Sequence, residues 1–286
     1  MKFSILSVTA AIAGLSTVGA FSSFTGVGRG SLLSDRCART SESALCMKTI
    51  AVFGASGQTG SEAVFQALAE GDSVIGLTRN PSNLAVPAGS GGDAAGKKLT
   101  NPNLNMIAGD ATKKSDVDKV FENGDVDGVI VALGGKTSEV GETMLTDGTK
   151  NVIAAMQEKG VKRIAVVTSI GAGDSEDQAP FAFKMLMFTV MKKVFVDKNN
   201  QEEAVMNSGL EYCLVRPGGL NVDPPTGVVN VIEGKAGSIP RADVAQFCLD
   251  AVRVDDFPYI GKAPCISSVG GTSWTKDRSK AARGEM

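Results

Sequence analysis

Thirteen residues constrain this chain more than any others: Lys-Thr-Ile-Ala-Val-Phe-Gly-Ala-Ser-Gly-Gln-Thr-Gly, from Lys48 to Gly60. A short β-branched and apolar run, Thr49–Phe53, leads straight into Gly54, Gly57 and Gly60. A helical pattern follows, with Ala63, Val64, Ala67 and Leu68 on one face and Gly71 placed as a C-terminal cap. Strand, tight turn and helix in this order can hold a dinucleotide pyrophosphate. Gly54 permits the turn, Gly57 removes a side chain from the phosphate path, and Gly60 lets the helix approach the strand. Free backbone N–H groups and the helix dipole would hold the negative charge, with Ala55, Ser56, Gln58 and Thr59 among the expected cofactor-binding residues. The spacing is Gly-x-x-Gly-x-x-Gly rather than Gly-x-Gly-x-x-Gly, so the reading rests on the flanking strand and helix.

The next strand pattern, Ser73–Thr78, ends at Arg79. An NAD site commonly carries an acid about 20 residues beyond the glycines, to bind the ribose 2′-hydroxyl. A guanidinium there suits a 2′-phosphate, which makes NADP(H) the expected cofactor. Strand patterns continue at Leu104–Ala108, Gly128–Leu133, Arg163–Thr168 and Tyr212–Val215, alternating with helical ones. Near-continuous apolar strands separated by helices imply an α/β fold: a single Rossmann-like, doubly wound parallel sheet with helices on both faces. Leu84–Thr100, rich in Gly, Ala and Ser, reads as a mobile surface loop.

Ligands of such sheets sit at the carboxyl ends of the strands. There the third strand offers Asp110 and Ala111, with Asp110 either accepting from an adenine amino group or serving as a turn residue. Ala132, Leu133 and Gly134 end the fourth strand and leave room for a ribose. Thr168 and Ser169 end the fifth, and Pro217, Gly218 and Gly219 follow the sixth.

The chain contains no histidine, which excludes Ser-His-Asp and Cys-His chemistry and histidine metal ligands. Its five cysteines show no Cys-x-x-Cys, so neither a metal site nor a disulfide framework is expected. With 29 basic against 31 acidic residues and no basic stripe, nucleic acid is not an expected partner.

Four segments are expected. Residues 1–20 resemble a signal peptide: Lys2, an apolar stretch, then Val18-Gly19-Ala20. Residues 21–47 are hydroxyl-rich, arginine-bearing and acid-poor, like a transit peptide. The Ala20–Phe21 junction resembles the bipartite presequence of algae whose plastids lie within the endomembrane system, with secretion as the alternative. Residues 48–269 form the nucleotide-binding domain, without an integral membrane span, and 270–286 a disordered basic tail.

Taken together, Gly-Ala-Ser-Gly-Gln-Thr-Gly at 54–60, Thr-Arg-Asn-Pro at 78–81, Gly-Asp-Ala at 109–111, Thr-Ser at 168–169, Ser-Gly-Leu-Glu-Tyr at 208–212, Arg-Pro-Gly-Gly-Leu at 216–220 and Ile-Pro-Arg-Ala-Asp-Val-Ala at 239–245 resemble the atypical short-chain dehydrogenase/reductases, in particular the NmrA-like and biliverdin-IXβ/flavin reductase-like branch. The resemblance implies NADP binding, with Ser169 at the family's serine and Lys198 at its lysine, where it would hold the nicotinamide ribose or else be a surface lysine. The family's tyrosine, four residues before the lysine, is replaced by Val194. Two functions follow as expectations: hydride transfer from NADPH to a flat small-molecule acceptor such as a flavin, quinone or tetrapyrrole, or a non-catalytic NADP(H)-binding sensor or plastid assembly factor. Phe181–Phe195 is apolar on more than one helical face, which fits a substrate wall, a core helix or a contact with a protein partner.

Overall fold

The computed structural model describes residues 47–122, 125–135 and 142–268. The presequence and tail expectations lie outside these residues.

Strand β1 (Thr49–Phe53) is buried on both faces because its side chains alternate between two cores. Ile50 and Val52 face one side, where α1 (Gln58–Ala69) and α6 (Arg241–Arg253) supply Ala63, Val64, Val244 and Leu249. Ala51 and Phe53 face the other, against α2 (Lys114–Glu122), α3 (Met144–Lys159) and α5 (Lys192–Met206), which supply Val117, Val152, Met156 and Val205. Each large side chain sealed in these layers, such as Phe53 or Met156, stabilises the fold by about 1.5–3 kcal/mol.

The remaining strands are β2 (Ser73–Thr78), β3 (Leu104–Ala108), β4 (Gly128–Val131), β5 (Arg163–Val167), β6 (Glu211–Pro217), β7 (Gly219–Asn221), β8 (Asn230–Val231), β9 (Ser238–Pro240) and β10 (Cys265–Ser267). The main sheet runs β3-β2-β1-β4-β5-β6-β10-β8, parallel throughout except for β8, which pairs antiparallel with β10. Strands β7 and β9 form a separate parallel pair. Strand order reverses between β1 and β4, which opens a crevice at their carboxyl ends.

Two expectations change. Leu84–Thr100 is not a loose surface loop: Leu84 and Val86 are buried, and Gly89 and Ser90 donate their N–H groups to Glu62 at 2.8 and 3.2 Å. A carboxylate buried on α1 needs such donors, and the loop supplies them. The apolar segment 181–195 is two helices, α4 (Phe181–Phe188) and α5, separated at Thr189–Met191. No helix among the described residues is long and apolar enough to cross a membrane.

Candidate functional site

The crevice at the switch point holds a cavity of about 440 Å³ walled by the ends of β1, β2, β3 and β4. Its floor is made by glycine. Gly54 has φ +83°, and a Cβ there would lie 2.5 Å from the Ala132 carbonyl oxygen, so both the turn and the approach of β4 require its bare backbone. A Cβ on Gly60 would lie 2.1 Å from the Gly54 carbonyl oxygen, which places this glycine at the helix–strand contact. Gly57 differs: it is exposed, lines the cavity, and a Cβ there would keep 3.1 Å from the Gly54 oxygen. The first intrahelical bond of α1 runs from Ser61 N–H to Gly57 C=O at 2.8 Å. The N–H groups of Gln58, Thr59 and Gly60 therefore have no acceptor within the helix, and they suit an anion.

Arg79 lies exposed on the rim where β2 ends, and Thr78 beneath it hydrogen-bonds Ser56 through their hydroxyls. Across the cavity, Asp110 Oδ1 accepts from Thr112 N–H at 3.0 Å and from its hydroxyl at 2.9 Å. The Thr112 backbone bond is the main force holding the Asp110 carboxyl below its usual range; Lys113 and Arg79 add to it, and burial opposes it. Asp110 is thus a turn residue that also faces the cavity. Ala111, Ala132, Leu133 and Gly134 complete the wall. A dinucleotide's adenosine and pyrophosphate fit this set: glycine floor, unpaired helix N–H groups, one guanidinium, small side chains.

Other residues singled out in the sequence lie outside those walls. Ala55 is fully buried and belongs to the core. Pro217 and Gly218 are buried, and a Cβ on Gly218 would sit 2.2 Å from the Gly237 oxygen. Gly219 N–H also bonds that oxygen, at 2.9 Å, so this segment is shaped by its pairing with β9.

Ser169 and Lys198 come together beyond β5. Lys198, within α5 rather than ahead of it, donates Nζ–H to the Thr168 carbonyl at 3.2 Å. Loss of water around the ammonium pulls its pKa down to about 8, against the opposing pull of the Glu202 and Asp197 carboxylates. Val194 stands one turn earlier on the same helix.

Behind this pair lies a network that the sequence reading missed. Thr168 donates its hydroxyl to Glu202 Oε1 at 2.6 Å, and Arg216 binds Glu202 through Nε at 3.0 Å and Nη2 at 2.7 Å. Asp174, exposed on the loop that follows β5, also pairs with Arg216, which holds its carboxyl below the usual range. Asp197 accepts the N–H groups of Leu145 and Thr146 at 2.8 and 2.9 Å and so closes the start of α3. A signal for the network was present: Arg216 ends an apolar strand that has no solvent to receive a charge, and Glu202 follows Lys198 by one helical turn.

The NAD(P)H-binding family pattern matches residues 54–255, nearly the whole described domain. An uncharacterized chloroplastic protein of Arabidopsis thaliana is 31% identical over 76% of this chain and 76% of its own length. Sanguinarine reductase of Eschscholzia californica is 29% identical over 38% of this chain and 40% of its own length. Among solved structures, an anaerobillin reductase from Escherichia coli shares the fold at TM-score 0.57 and 24% identity, over 77% of this chain and 96% of that one. A match across residues 54–255, laid on a switch-point crevice with a glycine floor, means that the chain belongs to the NAD(P)H-binding family, on a Rossmann-like fold.

Proposed function

We propose that this chain is an NADPH-dependent reductase that delivers hydride to a flat, conjugated acceptor of the flavin, quinone or tetrapyrrole kind, in a plastid. The observation that carries the reading is Arg79 on the crevice rim at the end of β2, where an NAD site would carry an acid. A planar guanidinium offers a 2′-phosphate paired donors, and the neighbouring Thr78 and Ser56 hydroxyls add further polar contacts.

When bound, NADPH supplies the hydride. Gly57 and the start of α1 would hold its pyrophosphate, and the small residues Ala132 and Gly134 would admit a ribose. Lys198, anchored on the Thr168 carbonyl, would bind the ribose hydroxyls, and Ser169 would orient acceptor or nicotinamide. Val194 offers no proton at the position where the short-chain dehydrogenase/reductase pattern places a tyrosine. A conjugated acceptor tolerates this, because hydride can enter a delocalised ring and the proton can follow from solvent. The two relatives described above are named as reductases, of sanguinarine and of an anaerobillin, which supports a reductase reading here.

Steady-state NADPH oxidation against a panel of flavins, quinones, linear tetrapyrroles and cationic alkaloids tests the proposal. Turnover with at least one acceptor is expected. Tight NADPH binding with no turnover would replace it by the second reading, a non-catalytic NADP(H)-binding sensor or assembly factor, which the exposed apolar face of α4 favours.

A further inference from the structure

Helix α5 presents two adjacent polar rows to its neighbours. Asp197 and Gln201, one turn apart, reach α3: Asp197 takes the N–H groups of Leu145 and Thr146, and Gln201 donates Nε2–H to the Thr149 hydroxyl at 2.9 Å. Lys198 and Glu202, also one turn apart, reach the end of β5 and grip a single residue there. The Thr168 carbonyl accepts from Lys198 Nζ at 3.2 Å, and the Thr168 hydroxyl donates to Glu202 Oε1 at 2.6 Å. Ser169 is the next residue of the chain. Further along the same loop, Gly173 donates its N–H to Asn199 Oδ1 at 2.9 Å. Its φ is +56°, and a Cβ on it would lie 2.3 Å from Arg216 Nη2 and 2.8 Å from Glu202 Oε2, so the loop backbone rests directly on the ion pair.

Glu202 is sealed and both its oxygens are taken, Oε1 by the Thr168 hydroxyl and Arg216 Nε, Oε2 by Arg216 Nη2. It therefore does not itself touch a cofactor or an acceptor. Lys198, by contrast, keeps part of its side chain open. Its ammonium has three N–H donors, and among the described residues the Thr168 carbonyl is the one acceptor within hydrogen-bond reach. The remaining donors suit the vicinal hydroxyls of a ribose. Their direction follows from where the Thr168 carbonyl stands, and Glu202 fixes that residue by its hydroxyl. A buried ion pair is seldom more stabilising than apolar side chains of equal volume. What Glu202 and Arg216 add over such a filling is a fixed place for Thr168.

We propose that Glu202 is a positioning residue of the candidate site: held by Arg216, it fixes Thr168 and so aims the Lys198 ammonium and the adjoining Ser169 at the nicotinamide half of the cofactor. The proposal rests on the reading that Lys198 binds the nicotinamide ribose. It sets the two ends of the nucleotide apart. Adenosine and pyrophosphate meet the ends of β1 to β4, where Glu202 makes no hydrogen bond, whereas the nicotinamide end relies on the bond between Glu202 and Thr168.

Isothermal titration calorimetry with NADPH and with adenosine 2′,5′-bisphosphate, which lacks the nicotinamide half, tests this, with circular dichroism to verify each fold. The parent should bind NADPH more tightly than the fragment. Thr168→Val should weaken NADPH about fivefold or more and leave the fragment's affinity unchanged. Glu202→Met with Arg216→Met, which removes the grip without stranding a charge, should do the same, and adding Thr168→Val to it should cost little more. Thr168→Ser, which keeps the hydroxyl, should lose far less than Thr168→Val. If the methionine variant does not fold, the two Thr168 variants decide, since they leave the ion pair intact. A purely structural role would lower the melting temperature and leave the ratio of the two affinities as it is, and that outcome overturns the proposal while the reading stands. A Thr168→Ser protein as weak as Thr168→Val also overturns it. A parent that holds the fragment as tightly as NADPH would remove Lys198 from a nicotinamide site, and the reading and the proposal would fall together.

Discussion

Glu202 on α5 takes both Nε and Nη2 of Arg216 on β6 while accepting the Thr168 hydroxyl from the end of β5. Both charged side chains are sealed, Arg216 at 5% and Glu202 at 1% exposed. Three elements that frame the Ser169–Lys198 corner therefore meet on one carboxylate.

Removing Glu202 takes from the buried Arg216 its two-point partner and leaves it, as counter-charge, only the exposed Asp174 carboxylate. Glu202→Ala is expected to destabilise the fold by about 3–5 kcal/mol, and Glu202→Gln by less, because the amide oxygen still accepts a hydrogen bond. Urea unfolding measures this: the midpoint should fall with the slope unchanged. A shift within about 0.5 kcal/mol, the size of an ordinary surface effect, would mean that water enters the corner.

The three glycines of the turn should fail in different ways. Gly60→Ala forces a methyl against the Gly54 carbonyl oxygen, at 2.1 Å before any shift, so it should lower the melting temperature and cost soluble yield. Gly57→Val should cost the fold far less, since Gly57 is exposed, its φ of −71° suits any residue and a Cβ 3.1 Å from the Gly54 oxygen needs only a small shift, yet it should obstruct the pyrophosphate path. A folded Gly57→Val protein that binds NADPH as tightly as the parent would remove the glycine floor from the nucleotide site.

Strands β1 to β6 were legible because parallel strands covered on both faces read as apolar runs, and the turn between β1 and α1 leaves its glycines in the sequence. Strands β7 to β10 were not legible. They are two or three residues long, too short for a period, and their pairing comes from segments far apart in the chain. The crevice rim was legible for the same reason as the strands, since strand ends place Arg79 and Asp110. The Glu202–Arg216 contact was half legible: a charge in the apolar strand at Arg216 calls for a buried partner, but nothing local tells a buried glutamate from a solvated one on a helix. Glu62 escaped likewise: its partners at Gly89 and Ser90 are backbone N–H groups, which every residue but proline carries.

Arg79→Ala should narrow the preference for NADPH over NADH, by about tenfold if one charge-assisted contact worth roughly 1.5 kcal/mol is lost. Fluorescence titration of both nucleotides against both proteins gives the ratio. Equal affinities in the parent would end the NADPH assignment.

A reporter fused behind residues 1–47 should enter the plastid, and replacing Phe21 with serine should hold it earlier along the secretory route. Chloroplastic relatives motivate this alongside the Ala20–Phe21 junction. Fluorescence microscopy and fractionation read the outcome. Reporter in the medium would favour secretion.

The last expectation turns on Lys198. Burial lowers its pKa from the ordinary 10.5 to about 8, so the folded chain binds this proton less readily than the unfolded chain does. Below about pH 8 both states carry the proton, and the folded state bears the whole penalty of a desolvated ammonium. Between about 8 and 10.5 the unfolded chain holds more protons, so this group's contribution to stability rises with pH; above that window both states are neutral and the penalty is gone. Lys198→Met keeps much of the volume and has nothing to titrate. The difference in unfolding free energy, parent minus variant, should climb across the window and stay flat below it. Every group common to the two proteins cancels in the difference. A flat difference throughout would mean a solvated ammonium, and Lys198 would then be the surface lysine that its sequence position also allowed. A climb without any change in NADPH affinity on substitution would leave the lysine buried but remove it from the nucleotide site.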